Sequence, residues 1–357
     1  MSNRKSARTI CCVVPPHILA HMAQHGTAAS RTAAMRTLDV DGSFRSRRMD
    51  FSARGGLQGP HSAAAALAPS EKRSIYDARH LQDLPGRLIR AEGHTAVRDE
   101  AVNQAYDGLG DTFAFYLAAY QRDSIDNAGL PLNASVHFDR DYDNAFWNGQ
   151  QMVFGDGDGV IFTAFTACID VIGHELTHGV TGSEANLVYQ GQSGALNESI
   201  SDVFGSLVKQ YAAAPRQKAD EADWLIGAGL LAAGIHGVAL RSMKAPGTAY
   251  DDPKIGKDPQ PADMKDYVQT GGDNGGVHIN SGIPNRAFYL AAAAMGGYAW
   301  EKAGRVWYDT VCDKNLRPSA DFSAFSKLTV RHASVLYGVG SDEHTAVREA
   351  WKEVGVK

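Results

Sequence analysis

Apolar and polar positions along this chain follow two different rhythms. Between about Ser74 and Gly159, the segments SIYDARH, GRLIRAEG, ASVHFDR and QQMVFGDGDG alternate with period two and close in turn residues, which predicts short strands. One stretch, Asp99 to about Asp123, instead returns apolar residues every three or four positions and predicts a long helix. From about Gly159 onward the helical period takes over, with predicted helices near 160–181, 197–213, 281–295, 299–313, 319–337 and 341–354. The last two open on Ser-Ala-Asp and Ser-Asp-Glu, sound N-cap signals. The pattern predicts an α+β chain: a strand-rich half, then a helix-rich half, with a helix at the seam.

The first 60 or so residues differ. They are rich in Ala, Arg and His and predict a small helical segment followed by a linker. Pro15 and Pro16 predict a stiff, extended piece there. The apolar run ICCVV is interrupted by Pro15, Pro16 and His17, shorter than the roughly 7–15 apolar residues a secretory signal needs. The expectation is no conventional signal peptide, hence a cytoplasmic place or export by a non-classical route. No apolar run approaches the ~20 residues of a membrane span. Net charge −5 argues against nucleic acid as a partner. Of the four cysteines, Cys11 and Cys12 are adjacent and Cys168 and Cys312 distant, which is neither a disulfide framework nor a zinc ribbon.

The seam helix carries DVIGHELTHGVTG. Four residues apart on a helix, His174 and His178 project from one face and can hold a single ion, with Glu175 beside them as general base toward water. SGALNESISDVFG offers Glu198 as a third ligand, and Asp202, one turn later, to accept the free ring N–H of a ligand histidine. GGDNGGVHINSGI sets His278 in a Gly-rich turn with Asp273 nearby, a pair suited to stabilising an oxyanion.

In these strings, and in DNAFWNGQQMVFGDGDG and ALRSMKAP, the chain resembles the thermolysin (M4) family of zinc metallopeptidases from about Ser74 to Lys357. The resemblance implies a two-domain fold, with a strand-rich domain (74–182) ending in the zinc helix, a helical domain (183–357), and the active site between them. It implies zinc on His174, His178 and Glu198, base catalysis by Glu175, and transition-state hydrogen bonds from His278 and Tyr189, with Asp273 orienting His278. It further implies substrate-backbone contacts from Asn144 and Arg241, an edge strand at Ala145 and Trp147, and a pocket of Phe162, Phe165, Val171 and Leu240 that prefers apolar residues after the scissile bond.

The leader, VVPPHILAHMAQHG then RTLDVDGSFRSRR, is similar to the short propeptide of the protealysin subgroup. This implies an inhibitory propeptide at 1–48 and a processing region at 49–73. Cys11 or Cys12 could cap the zinc as thiolate. The bonds before Met49, Phe51 and Leu57 are plausible targets of self-cleavage. One departure concerns calcium. Lys209, Leu225 and Ala228 stand where the family usually has glutamates, so the Lys209 ammonium is expected to replace a calcium pair and to bind Asp170 and Asp223. Two other readings carry signatures of their own. A binding protein without turnover would lack one of Glu175, Tyr189 or His278, and a zinc aminopeptidase would carry a GxMEN-like string. Neither condition holds.

Overall fold

In the computed structural model, which describes residues 11–53 and 69–357, the strand-rich half builds one six-stranded sheet. Its strands are β1 (Cys11–Cys12), β2 (Arg73–Asp77), β3 (Arg87–Ala91), β4 (Leu132–Val136), β5 (Ala145–Trp147) and β6 (Met152–Phe154). They lie in the order β1-β5-β6-β4-β2-β3; β6, β4 and β2 run parallel, and every other pairing is antiparallel. Side chains alternate across it as a pleated strand requires. Ala145, Trp147, Met152 and Phe154 join the main core, whereas Phe146 and Val153 pack on the opposite face with Cys12, Phe138 and Tyr142.

The helices are α1 (Pro16–His25), α2 (Ala28–Ala53), α3 (Glu100–Tyr120), α4 (Ile169–Ser183), α5 (Gly191–Ala212), α6 (Asp273–Asn280), α7 (Gly282–Met295), α8 (Ala303–Val311), α9 (Phe322–Tyr337) and α10 (Asp342–Glu353). Their starts follow from capping. Asp99, Asp321 and Ser341 each accept a backbone N–H of the first turn they precede. None of the described helices is long and apolar enough to cross a membrane.

Three expectations need correction. The seam helix begins only at Ile169, not near 160. Asp158 Oδ1 accepts the N–H groups of Val160, Ile161 and Phe162, which folds that stretch into a turn. The helix expected at 197–213 already starts at Gly191. In the leader, Pro16 opens α1 instead of stiffening an extended segment; its missing N–H is unneeded at the first helical position.

The site depends on how closely α4 and α5 approach. A Cβ on Gly205 would lie 2.5 Å from the Asp170 carbonyl oxygen, and one on Gly173 only 3.1 Å from the Gly205 Cα. Only glycine allows this backbone contact, and the contact carries Glu198 to the face of α4 that bears both histidines.

Candidate active site

The α4 and α5 faces converge on one point. His174 Nε2 and His178 Nε2 stand 3.1 Å apart, and Glu198 oxygens lie 3.5 Å from each. These three side chains are buried and form a group able to hold a metal ion. The far ring nitrogens are already committed. His174 Nδ1–H donates to Asp202 (2.8 Å) and His178 Nδ1–H to Asn197 (2.8 Å), leaving both Nε2 lone pairs aimed at the same spot. Glu198 Oε2 and Glu175 Oε1 are buried and make no hydrogen bond among the described residues. Two imidazoles, one carboxylate and an unsatisfied oxygen fit zinc and its open fourth position.

Glu175 lies on the same turn of α4 as the first histidine. Its Oε2 accepts the Trp147 N–H of β5 at 3.0 Å, which ties it to the sheet edge. Burial, reinforced by the negative charge of Glu198, pushes its carboxyl well above the usual range. Across the site Tyr189 donates to Glu198 and lies 3.3 Å from His278 Nε2. Asp273 holds His278 through both its backbone N–H (2.9 Å) and Nδ1 (2.6 Å). That grip depends on an unusual turn, with φ positive from Asp273 through Gly276. Burial works against charge on His278, but Asp273 and Glu198 outweigh it and hold the imidazole up at about 9.

Arg241 is fully buried and forks onto Asp202, Nε to Oδ2 at 2.8 Å and a terminal nitrogen to Oδ1 at 2.9 Å. Asp202 therefore serves a ligand histidine and the arginine at once, and Asn285 donates to it as well (2.8 Å). The sequence reading missed Asn197 and Asn285. Asn197 stands next to Glu198 in a quoted motif, but no spacing distinguishes it from a core amide. Phe162, Phe165, Val171 and Leu240 are all buried, with the two phenyl rings 5.7 Å apart.

The leader occupies the cleft edge. β1 adds antiparallel to β5, with Cys11 opposite Trp147 and Cys12 opposite Phe146. Val13 N–H donates to the Ala145 carbonyl (3.2 Å), and Asn144 bridges both backbone groups of Val14 (2.9 and 3.3 Å). His278 Nε2 meets the Cys12 carbonyl at 3.0 Å, and Arg241 donates to the Val13 carbonyl at 2.9 Å. The Cys12 side chain packs with Phe138, Tyr142 and Phe146 on the far face of the sheet, so alternation along β1 removes it as a zinc cap. The Cys11 side chain lies outside the described residues. Behind β1, α1 and α2 clamp the rest of the chain: His17 meets the Tyr250 hydroxyl (3.0 Å), Arg36 pairs with Asp139, and Tyr142 donates to Asp41. α2 runs through Met49 and Phe51, so the bonds before them are helical and not extended; Leu57 lies outside the described residues.

Away from the zinc cluster, Lys209 Nζ lies 3.2 Å from Asp170, 2.8 Å from Asp223 and 3.2 Å from the Leu225 carbonyl. Burial pushes the Asp170 carboxyl up, with Lys209 and the Gly227 N–H opposing it, while the two aspartates hold the ammonium up against its own desolvation.

Residues 60–182 match the family model described as thermolysin metallopeptidase, catalytic domain, and residues 185–356 match thermolysin metallopeptidase, alpha-helical domain. The chain is 54% identical to an extracellular metalloprotease of Pectobacterium carotovorum subsp. carotovorum, over 98% of each. It is 41% identical to a thermolysin of Alicyclobacillus acidocaldarius subsp. acidocaldarius, over 79% of this chain and 50% of that protein. Among solved structures, it is similar to the precursor of protealysin, a metalloproteinase from Serratia proteamaculans, with 55% identity and a TM-score of 0.87, covering 97% of this chain and 100% of that one. With the HExxH helix, the converging Glu198 and both halves of the fold matched, the chain belongs to the thermolysin family of zinc-dependent metallopeptidases, hydrolases of peptide bonds.

Proposed function

We propose that the chain is an endopeptidase in which His174, His178 and Glu198 hold zinc, Glu175 is the base, and the leader is an inhibitor lying in the substrate track. When bound, the zinc supplies a Lewis acid that polarises the scissile carbonyl and lowers the pKa of water. Glu175, raised by burial, takes the proton of the attacking water and returns it to the leaving amine. His278, charged and braced by Asp273, donates with Tyr189 to the oxyanion. Arg241 and Asn144 hold the backbone beyond the scissile bond, and Ala145 pairs with it as an edge strand. The observation that carries this reading is the leader itself: an extended segment on β5 whose Cys12 and Val13 carbonyls meet His278 and Arg241.

Phe162, Phe165, Val171 and Leu240 make the pocket for the residue after the cut. Phe165 narrows it, so leucine is favoured over tryptophan by ~1–3 kcal/mol. A peptide-library digest by the processed enzyme tests site and specificity together. Cleavage before medium-sized apolar residues, abolished by a zinc chelator and restored by zinc, is expected. A chelator-resistant digest defeats the metal assignment, and a profile dominated by Lys or Arg defeats the pocket.

The leader's hold depends on pH through His17. Burial, helped by the nearby charges of His278 and Arg241 and opposed by Asp273, lowers its pKa from 6.5 to about 4. The docked leader thus binds fewer protons than the free one. Its hold is complete above pH 6.5 and weakens as pH falls toward 4, by at most about tenfold per unit. A synthetic leader of residues 11–53 inhibiting the processed enzyme should show this slope between pH 7.5 and 5, and His17→Gln should flatten it. A slope unchanged by His17→Gln would point to another group. The candidate for a thiolate cap on zinc is Cys11; sulfur–zinc scattering in X-ray absorption that vanishes in Cys11→Ser is the result expected of it, and its absence in the parent rules the cap out.

Lys209 stands in for calcium. Withdrawing calcium should leave the unfolding temperature unchanged. Lys209→Ala should cost about 2–3 kcal/mol, less than a fully buried pair because Lys209 and Asp223 are partly exposed. A neutral effect in denaturant unfolding would refute the substitution. The name of the Pectobacterium relative supports an extracellular place of action.

A further inference from the structure

Three neighbouring parallel strands finish side by side at one end of the sheet, and each delivers a potential metal ligand within three residues of its last. His80 follows β2, His137 follows β4, and Asp156 follows β6. Their donor atoms lie within 4.8 Å of one another. His137 Nδ1 is 2.9 Å from both Asp156 oxygens, and His80 Nδ1 is 3.5 Å from Asp156 Oδ2. The far side of the His137 ring is also engaged: Nε2–H donates to Asp99 at 2.9 Å, which fixes the ring with Nδ1 facing the cluster. The backbone is arranged to bring the two rings together. His80 and His137 both have positive φ, 57° and 53°, and His80 N–H donates to the His137 carbonyl at 2.8 Å. Strained non-glycine residues of this kind persist where the surrounding structure holds them.

We propose that His80, His137 and Asp156 form a second metal site, for a divalent transition-metal ion of the zinc class, with Asp99 as the carboxylate that orients His137. Two imidazole nitrogens and one carboxylate oxygen are donors for zinc, nickel or copper; calcium and magnesium require mostly oxygen. His80 is half-exposed, so the remaining coordination positions face water and the ion enters directly from solvent. Without the ion, the same geometry is an imidazolium bridging Asp99 and Asp156; the ion takes the place of the proton on Nδ1. Bound there, it crosslinks the ends of β2, β4 and β6 and stiffens the loop carrying Gln82, which donates to Asp139 beside the leader's Arg36.

The test uses the full-length chain carrying Glu175→Ala to prevent self-cleavage, with one zinc already bound, titrated with further Zn2+ by calorimetry and with Co2+ by visible absorption. One additional ion should bind in the micromolar range and raise the unfolding temperature. His80→Ala, at an exposed position, should weaken that event about tenfold or more, and Asp99→Asn, which keeps the cap of α3, by about 10–100-fold. Failure to bind a second ion up to about a hundred micromolar overturns the proposal. So does a second ion that binds His80→Ala as tightly as the parent, because that ion must then sit elsewhere, such as the catalytic cleft.

Discussion

Glu175→Ala is expected to retain the parent's metal content while losing at least about 10²–10⁴-fold of peptidase activity. The separation rests on geometry. Glu175 is not one of the three converging donors, and its one hydrogen bond among the described residues goes to the Trp147 N–H. Truncation leaves that N–H at the sheet edge, where the leader or a substrate strand runs, and leaves His174, His178 and Glu198 untouched. Because the carboxylate is buried beside Glu198, its removal relieves repulsion, so the variant should be no less stable than the parent. Turnover of a chromogenic peptide, paired with elemental analysis of the same sample, decides the point. Loss of the catalytic zinc along with activity would merge the base and ligand roles.

The largest effect on stability should come from Asp202. Replacing it with Ala strands the Arg241 guanidinium in a site with almost no solvent exposure, and removes the acceptor for His174 and Asn285. Breaking such a buried pair costs ~3–5 kcal/mol. Zinc affinity should fall a further ~10–100-fold, because His174 loses the group that fixes its tautomer. Asp202→Asn keeps the volume and one acceptor, so it should fall between Ala and the parent. Measured in the Glu175→Ala background to prevent self-digestion, equal stability of Asp202→Ala and its parent would show that Arg241 finds another counter-charge. Competition with a chromophoric chelator reads the zinc affinity in the same samples.

The sequence carried the residues whose relation is local. His174, Glu175 and His178 share one helix face by spacing alone, Glu198 and Asp202 share another, and Asp321 and Ser341 announce the helices they cap. The two rhythms also separated the strand-rich half from the helical one. Periodicity was weakest at element ends. The stretch from Val160 to Phe165 is as apolar as a helix, but the Asp158 carboxylate captures its N–H groups, and that local bond outweighs the pattern. Proline misled for a similar reason: a fixed φ suits an extended chain and a first helical turn equally, and only the docking of α1 selects the turn.

Relations across long stretches of chain were decided by the tertiary structure. That Glu198 meets His174 depends on Gly173 and Gly205 letting two helix backbones touch, which no spacing rule encodes. Asp202 serving both His174 and Arg241, Asn197 serving His178, and the ends of β2, β4 and β6 lying side by side all depend on packing. The leader shows the division most clearly. Its composition marked it as distinct, and resemblance suggested inhibition, but the face on which Cys12 packs depends on pairing register with β5. A shift of one residue exchanges the two faces of a strand, and the observed register buries Cys12 on the far side and turns its carbonyl to His278. Residue types and short-range spacing can thus be read along the chain, because they set local conformation and donor chemistry. Which groups meet, and on which face, follows from close packing between distant segments.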